Sequence, residues 1–376
     1  MSGAERTMDP LDPGDPGQHE RPIRMERLDA IASDSSGAWS RWRPIVGIAA
    51  VILIVTVFGL RASNAWIDIA NTALIASIAT VALNLLLGHT GLVSIGNAAF
   101  LAVGAVVAAQ VADLNGGPFW LAALAGTGAA AFVGLLLAIP AGRIKGLYLA
   151  MGTLAFHFIV VAVVQEVQTR QVGSGGYRLP TASIAGFEVS SIHRWYVVLL
   201  ICLALTLLFV RSLLTRKPGR AWRAIREQQS IAAMSGVSVW RYKVWAFVVS
   251  SAIVGFAGVL SAYYISIITS ETFVLHLAVL YLAYVIIGGM GSMYGPVIGA
   301  FFLVSLPHLV KGTRSALGFD STGQNIFYIQ DAAIGAAVVL MILIEPRGLA
   351  RLASRALRAI ERRVELAWST RRGRGE

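Results

Sequence analysis

Charge is what this chain of 376 residues has least of: only 14% of it is charged and 56% is hydrophobic. A soluble domain carries about 25% charged residues. The one cysteine, Cys202, lies within an apolar run, which excludes a disulfide framework and a thiolate metal site. The six histidines are scattered, with no His-x-x-x-His pair, and neither a Walker A sequence nor a zincin signature occurs. Three residues separate Gly291 from Gly295, so the dinucleotide-binding glycine pattern fails as well. Paired carboxylates and a nucleophile–base set are also missing. These absences leave no catalytic residue, metal or cofactor to assign, and any energy source must lie outside the chain.

The apolar residues are gathered in repeated runs of roughly twenty, the length that crosses a bilayer. This identifies an all-α polytopic membrane protein. Ten candidate spans (eight to ten, given their lengths) can be read: Pro44–Leu60, Asp68–Leu87, Ser94–Ala112, Phe119–Ile139, Leu147–Val167, Trp195–Leu214, Val244–Thr269, Phe273–Ile287, Tyr294–Val310 and Phe327–Ile344. Residues 1–43 are polar and rich in Pro, Gly, Asp and Ser, and are expected to be a disordered tail. The domain of spans covers 44–345, and a basic tail follows over 346–376.

The net charge of +11 does not indicate nucleic-acid binding, because the basic residues cluster between spans rather than along one face. With the N-terminus inside, the inner segments hold Arg41, Arg43, Arg143, Lys145, Arg211, Arg216, Lys217, Arg220, Arg223, Arg226, Arg241, Lys243 and nine arginines of the tail. The outer segments hold only Arg61, Arg170, Arg178, Arg194, Lys311 and Arg314. The positive-inside rule therefore puts both termini in the cytoplasm. The longest polar interval, 215–243, is then a cytoplasmic loop and 168–194 an external one, pliable through Gly173, Gly175 and Gly176.

In the cytoplasmic loop, Pro218-Gly219 breaks the preceding helix and good helix formers follow from Arg220 to Ser235. Gly236 stands where a left-handed C-cap belongs. Ala221, Ile225, Ala232 and Ala233 can share an apolar side, while Arg220, Arg223, Arg226 and Glu227 stay wet. Such a helix either docks onto a partner or rests on anionic lipid. Two glycine-rich interruptions stand out elsewhere. Gly88, Gly91 and Gly96, with Thr90, Ser94 and Asn97, interrupt an apolar run; they suit either a broken helix at a substrate path or a tight turn between spans. Gly291, Gly295 and Gly299 recur every fourth residue and place bare backbone along one helix face for close packing.

These stretches together resemble the branched-chain amino acid ABC permease family. NLLLGHTGLVSIGNAAF (84–100) is similar to its Asn-Leu-x-x-Gly-x-x-Gly-x-x-Ser-x-Gly-His-Ala-Ala-Phe signature. RIKGLYLAMGTLAF, GRAWRAIRE with YKVWAF, IIGGMGSMYGPVIGA and EPRGLA follow in the family's order. Glu227, Ala232-Ala233 and Gly236 resemble its ATPase-coupling motif in a loosened form. The resemblance implies one permease subunit of an importer in a prokaryotic plasma membrane. Its implied partners are a homologous second permease, two ABC ATPase subunits and an extracytoplasmic substrate-binding protein, all around the lipid bilayer. It assigns Gly219, Arg220, Ala224, Arg226, Glu227, Ala232, Ala233 and Gly236 to coupling. Asn84, Gly88, Gly91, Ser94, Gly96, Asn97 and Ala99 are assigned to the translocation path.

Asn97 stands where the family usually has His, and Phe158 where many members have Glu; His157, beside it, joins the path candidates as a mid-span polar residue. Branched-chain amino acids are the leading substrate, with urea or short-chain amides the alternative. A stand-alone secondary transporter usually needs charges within its spans, and Asp68, Glu166, Asp331 and Glu345 all fall near span ends.

Overall fold

The apolar residues of the segment Asn64–Asn84 lie on every side of the helix rather than along one stripe, and its polar residues are mostly small or uncharged; such a helix belongs at the centre of a bundle. A computed structural model describes residues 63–316 except 145, 185 and 186, together with 332, 335, 336, 339, 343 and 348–350. The chain divides into two compact units, Met1–Ile54 and Val55–Glu376, the first of which lies wholly outside the described residues. So do the expected span Pro44–Leu60, nearly all of both tails, and all but isolated positions of Phe327–Ile344.

Ten helices are described: α1 (Asn64–Asn84), α2 (Asn97–Ala109), α3 (Phe119–Ala141), α4 (Leu147–Val172), α5 (Ile192–Thr215), α6 (Lys217–Glu227), α7 (Gln229–Met234), α8 (Val239–Ile265), α9 (Leu275–Gly288) and α10 (Gly295–Ala316). Wider π turns extend α1 through Leu85–His89 and α2 through Gln110–Leu114. Six are long and apolar enough to cross a membrane: α1, α2, α3, α4, α5 and α8, the first two counted with their π turns. Leu275–Gly288 and Gly295–His308 are shorter apolar segments. The apolar window of α1 is 94% buried, against 33% for α3 and α4, so α1 is central and those two are peripheral.

α1 packs against α5, α8, α9 and α10, while α8 lies along both α2 and α3. Bare backbone lets these helices approach closely, the way small residues join helices in lipid. A Cβ at Gly104 of α2 would collide with the Gly255 backbone of α8, and one at Gly258 with the Leu101 carbonyl.

Several boundaries differ from the sequence reading. α4 continues past Val167 because Gln168, Thr169 and Gln171 tolerate helix, and it stops only at Gly173, whose φ is +68°. α8 ends before Thr269, at Ser266 in the left-handed region, and Ile267–Ile268 then forms a short strand. That strand, β4, pairs antiparallel with β1 (Tyr177–Arg178), and β2 (Ser183–Ile184) pairs with β3 (Phe187–Glu188). The all-α expectation thus holds for the bundle but not for the loops at this end. The expected single helix Arg220–Ser235 is two, because Gln228 is extended (φ −158°, ψ 109°) and becomes the N-cap of α7.

Candidate functional site

Between α1 and α2 the chain leaves helix over residues 91–96 and restarts at Asn97. Here it leans on α4. The Ile95 N–H donates to Thr153 Oγ1 (3.0 Å), which itself donates to the Ala150 carbonyl (2.9 Å). A Cβ on Gly96 would come within 2.8 Å of the Thr153 carbonyl oxygen. His157 lies one turn beyond Thr153 and is buried, as are Ser94, Asn97 and Ala99. Among the described residues, Ser94 Oγ, both amide atoms of Asn97 and His157 Nδ1 have no hydrogen-bond partner. A buried polar group without a partner costs about 1–3 kcal/mol, so four along one helix contact need a reason beyond packing.

The other expected path residues sit elsewhere. Asn84 is buried and joins α1 to the loop before α10: its Nδ2 donates to the Ser292 carbonyl (2.8 Å) and its Oδ1 accepts from the Gly291 N–H (2.8 Å). A Cβ on Gly88 would strike Asn84 Oδ1 and the Gly291 backbone. The two glycine interruptions of the sequence therefore meet at one end of the bundle. Gly291 belongs to this turn (φ +79°) rather than to α10, so only Gly295 and Gly299 lie along the helix. There they face the backbone of Tyr284 and Gly288–Gly289 at the end of α9.

Arg226 of α6 reaches the same junction. Its Nη1 donates to the Gly88 carbonyl and stands 2.9 Å from where a Cβ on Gly291 would be. Gly91, exposed and left-handed (φ +70°), lies against the Arg226 stem. The amphipathic helix and the glycine motifs are thus in direct contact.

α6 is anchored by a residue that periodicity did not single out. Trp222 is fully buried and its Nε1 donates to the Tyr242 carbonyl of α8 (2.9 Å). Gly219 is buried where a Cβ would collide with the Leu214 backbone, and Ala221, Ile225 and Ala232 also face inward. The break at Gln228 turns Ala233 outward, contrary to the single apolar side expected for it. Ile231, Ala233, Met234 and left-handed Gly236 (φ +80°) form an exposed edge with Glu227, while Arg220 is exposed and Ala224 half-buried.

At the opposite end, beside the β1–β4 pair, a cavity of about 500 Å³ opens among the first turns of α1 and α5, the last turn of α8 and the loop up to Ser190. Tyr264 lines it and donates to Asp68 Oδ1. The same hydroxyl accepts from Asn71 Nδ2 (3.3 Å), and Trp195 meets the Tyr264 ring edge-on at 5.9 Å. Asp68 was read from sequence only as a charge near a span end. The adjacent Tyr263-Tyr264 pair was the signal that could have marked this pocket.

The model of a family described as "Branched-chain amino acid transport system / permease component" matches residues 65–344. The chain is 30% identical to the "High-affinity branched-chain amino acid transport system permease protein LivM" of Escherichia coli (strain K12) over 327 residues, covering 80% of this chain and 74% of that one. The protein of the same name from Salmonella typhimurium is equally similar. A "Probable branched-chain amino acid transport permease protein LivH" of Methanocaldococcus jannaschii is 27% identical over 210 residues, covering 54% and 63%. No solved structure matches.

Proposed function

Because the chain belongs to the branched-chain amino acid transport permease family, we propose that it is one of two permease subunits of an ATP-driven importer for branched-chain, hydrophobic amino acids. Relatives named for that transport support the solute, and their occurrence as LivM and LivH types supports a second, homologous permease. Two ATPase subunits and an extracytoplasmic binding protein complete the assembly. The basic residues of α6 and its flanks support a cytoplasmic position for the Gly88–Arg226 end, with eight to ten spans and both termini inside a prokaryotic plasma membrane.

One observation carries this reading: Arg226 ties the amphipathic pair α6–α7 to Gly88, at the end of the central helix. An ATPase that grips the exposed edge of α7 differently in its open and closed forms would pull on α1 and on the Gly291 turn together. α2, α4 and the unpartnered groups of Ser94, Asn97 and His157 then lie beside the moving helix. They offer polar partners to a zwitterion, among apolar neighbours suited to its side chain.

Proteoliposomes containing this chain, its partner permease and the ATPases, supplied with binding protein, should take up leucine only with ATP. ATP-independent leucine flux through this chain alone would overturn the reading in favour of a stand-alone transporter.

A further inference from the structure

The mechanism above makes no use of the cavity at the far end of the bundle. We propose that it is a receiving site for the ammonium group of an amino acid, entered before the solute reaches the interior; this rests on the reading of the chain as an amino acid permease. The cavity's volume, about 500 Å³, falls within the range of small-molecule sites. Its one charged lining residue is Asp68, and its other polar lining side chains carry hydroxyls, which donate as well as accept. Asp68 is exposed to it, and among the described residues no Lys or Arg pairs with its carboxylate. Tyr264 instead fixes that carboxylate by donating to Oδ1, and Asn71 steadies the tyrosine. Asn71 is fully buried, and its own Oδ1 has no partner among the described residues.

Aromatic rings complete the preference. Trp195 and Tyr263 are nearly buried and, with Tyr264, form a wall of the cavity. Ring faces attract a cation within about 6 Å. A carboxylate held by a tyrosine and flanked by rings suits –NH₃⁺ and repels –COO⁻. The hydroxyl of Tyr263, unpartnered and buried, can donate to the carboxylate at the other end of a zwitterion. Selection is therefore for a solute that carries an ammonium group, whatever its side chain.

Labelling of the assembled complex tests this. Ser190 lines the cavity and is exposed, so Ser190→Cys in a Cys202→Ala background gives a single reactive thiol. Its rate of reaction with a small impermeant thiosulfonate is measured with leucine, with isopentylamine (the ammonium alone) or with 4-methylpentanoate (the carboxylate alone). Leucine and isopentylamine should slow labelling and 4-methylpentanoate should not. Asp68→Asn should weaken protection about ten- to a hundredfold, the scale of losing one charge-assisted hydrogen bond, while Asp68→Glu keeps it. The solute series decides the question even where Asp68→Asn fails to assemble. Equal protection by 4-methylpentanoate, or protection that persists in Asp68→Asn, overturns the site. Leucine uptake without protection by any solute also overturns it and leaves the transport reading standing. A native complex that carries no branched-chain amino acid overturns that reading, and this inference with it.

Discussion

At Asn97 the chain buries an amide whose two polar atoms have no partner among the described residues, and a single substitution can separate stability from transport there. Asn97→Ala removes both unpaired groups, so the desolvation cost of about 1–3 kcal/mol is recovered against the small cavity left behind. The solubilised complex should melt at an unchanged or higher temperature, and ATP-driven leucine uptake should fall by at least about tenfold, roughly the 1.4 kcal/mol carried by one hydrogen bond to a charged solute. A lower melting temperature with uptake intact would make Asn97 a structural residue. Gly88 should behave in the opposite sense. A methyl group there meets Asn84 Oδ1 and the Gly291 backbone, which breaks the clamp between α1 and the turn before α10. Overpacking of this kind costs about 1–3 kcal/mol, so Gly88→Ala should lower the melting temperature and the yield of assembled complex. Normal assembly of Gly88→Ala would mean that the junction is looser than its contacts indicate.

Among the elements, the pair α6–α7 shows what a sequence pattern reveals and what it conceals. The inward side of Ala221, Ile225 and Ala232, the basic face and the left-handed glycine at its end are legible, because helix period and C-cap chemistry act over a few residues, whereas the expected place of Ala233 on that side is not met. The extended Gln228 was not legible, since glutamine is a good helix former and nothing local forbids it a helix. The inward turn of Trp222 was also hidden, because it depends on the Tyr242 carbonyl twenty residues away. The same holds for Asp68 and Tyr264, which are 196 residues apart in the chain and meet only through the fold. The break at Gln228 decides how α7 should respond to mutation. Ala233→Glu places a charge on the exposed edge rather than in the core, so the permease itself should fold and only ATPase co-purification should be lost. Gly236→Val strains a left-handed position by about 1–2 kcal/mol and re-aims the end of α7. Substrate-stimulated ATP hydrolysis should then fall while part of the binding remains. If Ala233→Glu leaves both co-purification and stimulation unchanged, α7 is a lipid-surface element.

For the whole molecule, the two ends of the bundle carry opposite chemistry. One end gathers α6–α7, the Gly88 and Gly291 turns, and Lys243, which is buried and donates to the Ile144 carbonyl (3.3 Å). The other gathers the short strands, the Asp68 cavity and a side-chain network in which Tyr177 donates to Gln171 Oε1 (2.6 Å). The alternation of α1, α5 and α8 between these ends follows from apolar runs separated by polar intervals, which is why the path of the chain could be read from sequence. Which end faces the cytoplasm is a matter of charge. Arg216, Lys217, Arg220, Arg223, Arg226 and Arg241 accumulate around α6–α7, and cytoplasmic segments collect Lys and Arg because translocating them is disfavoured. Cysteines at Ser174, in the loop after α4, and at Ser230, in α7, should separate the possibilities, since both positions are exposed. In whole spheroplasts, with Cys202 replaced, an impermeant maleimide should label position 174. It should reach position 230 only after the membrane is opened. The reverse pattern would turn the bundle over, carry α7 away from any ATPase, and place the Asp68 cavity on the cytoplasmic side, where it could release a solute but could not receive one from outside.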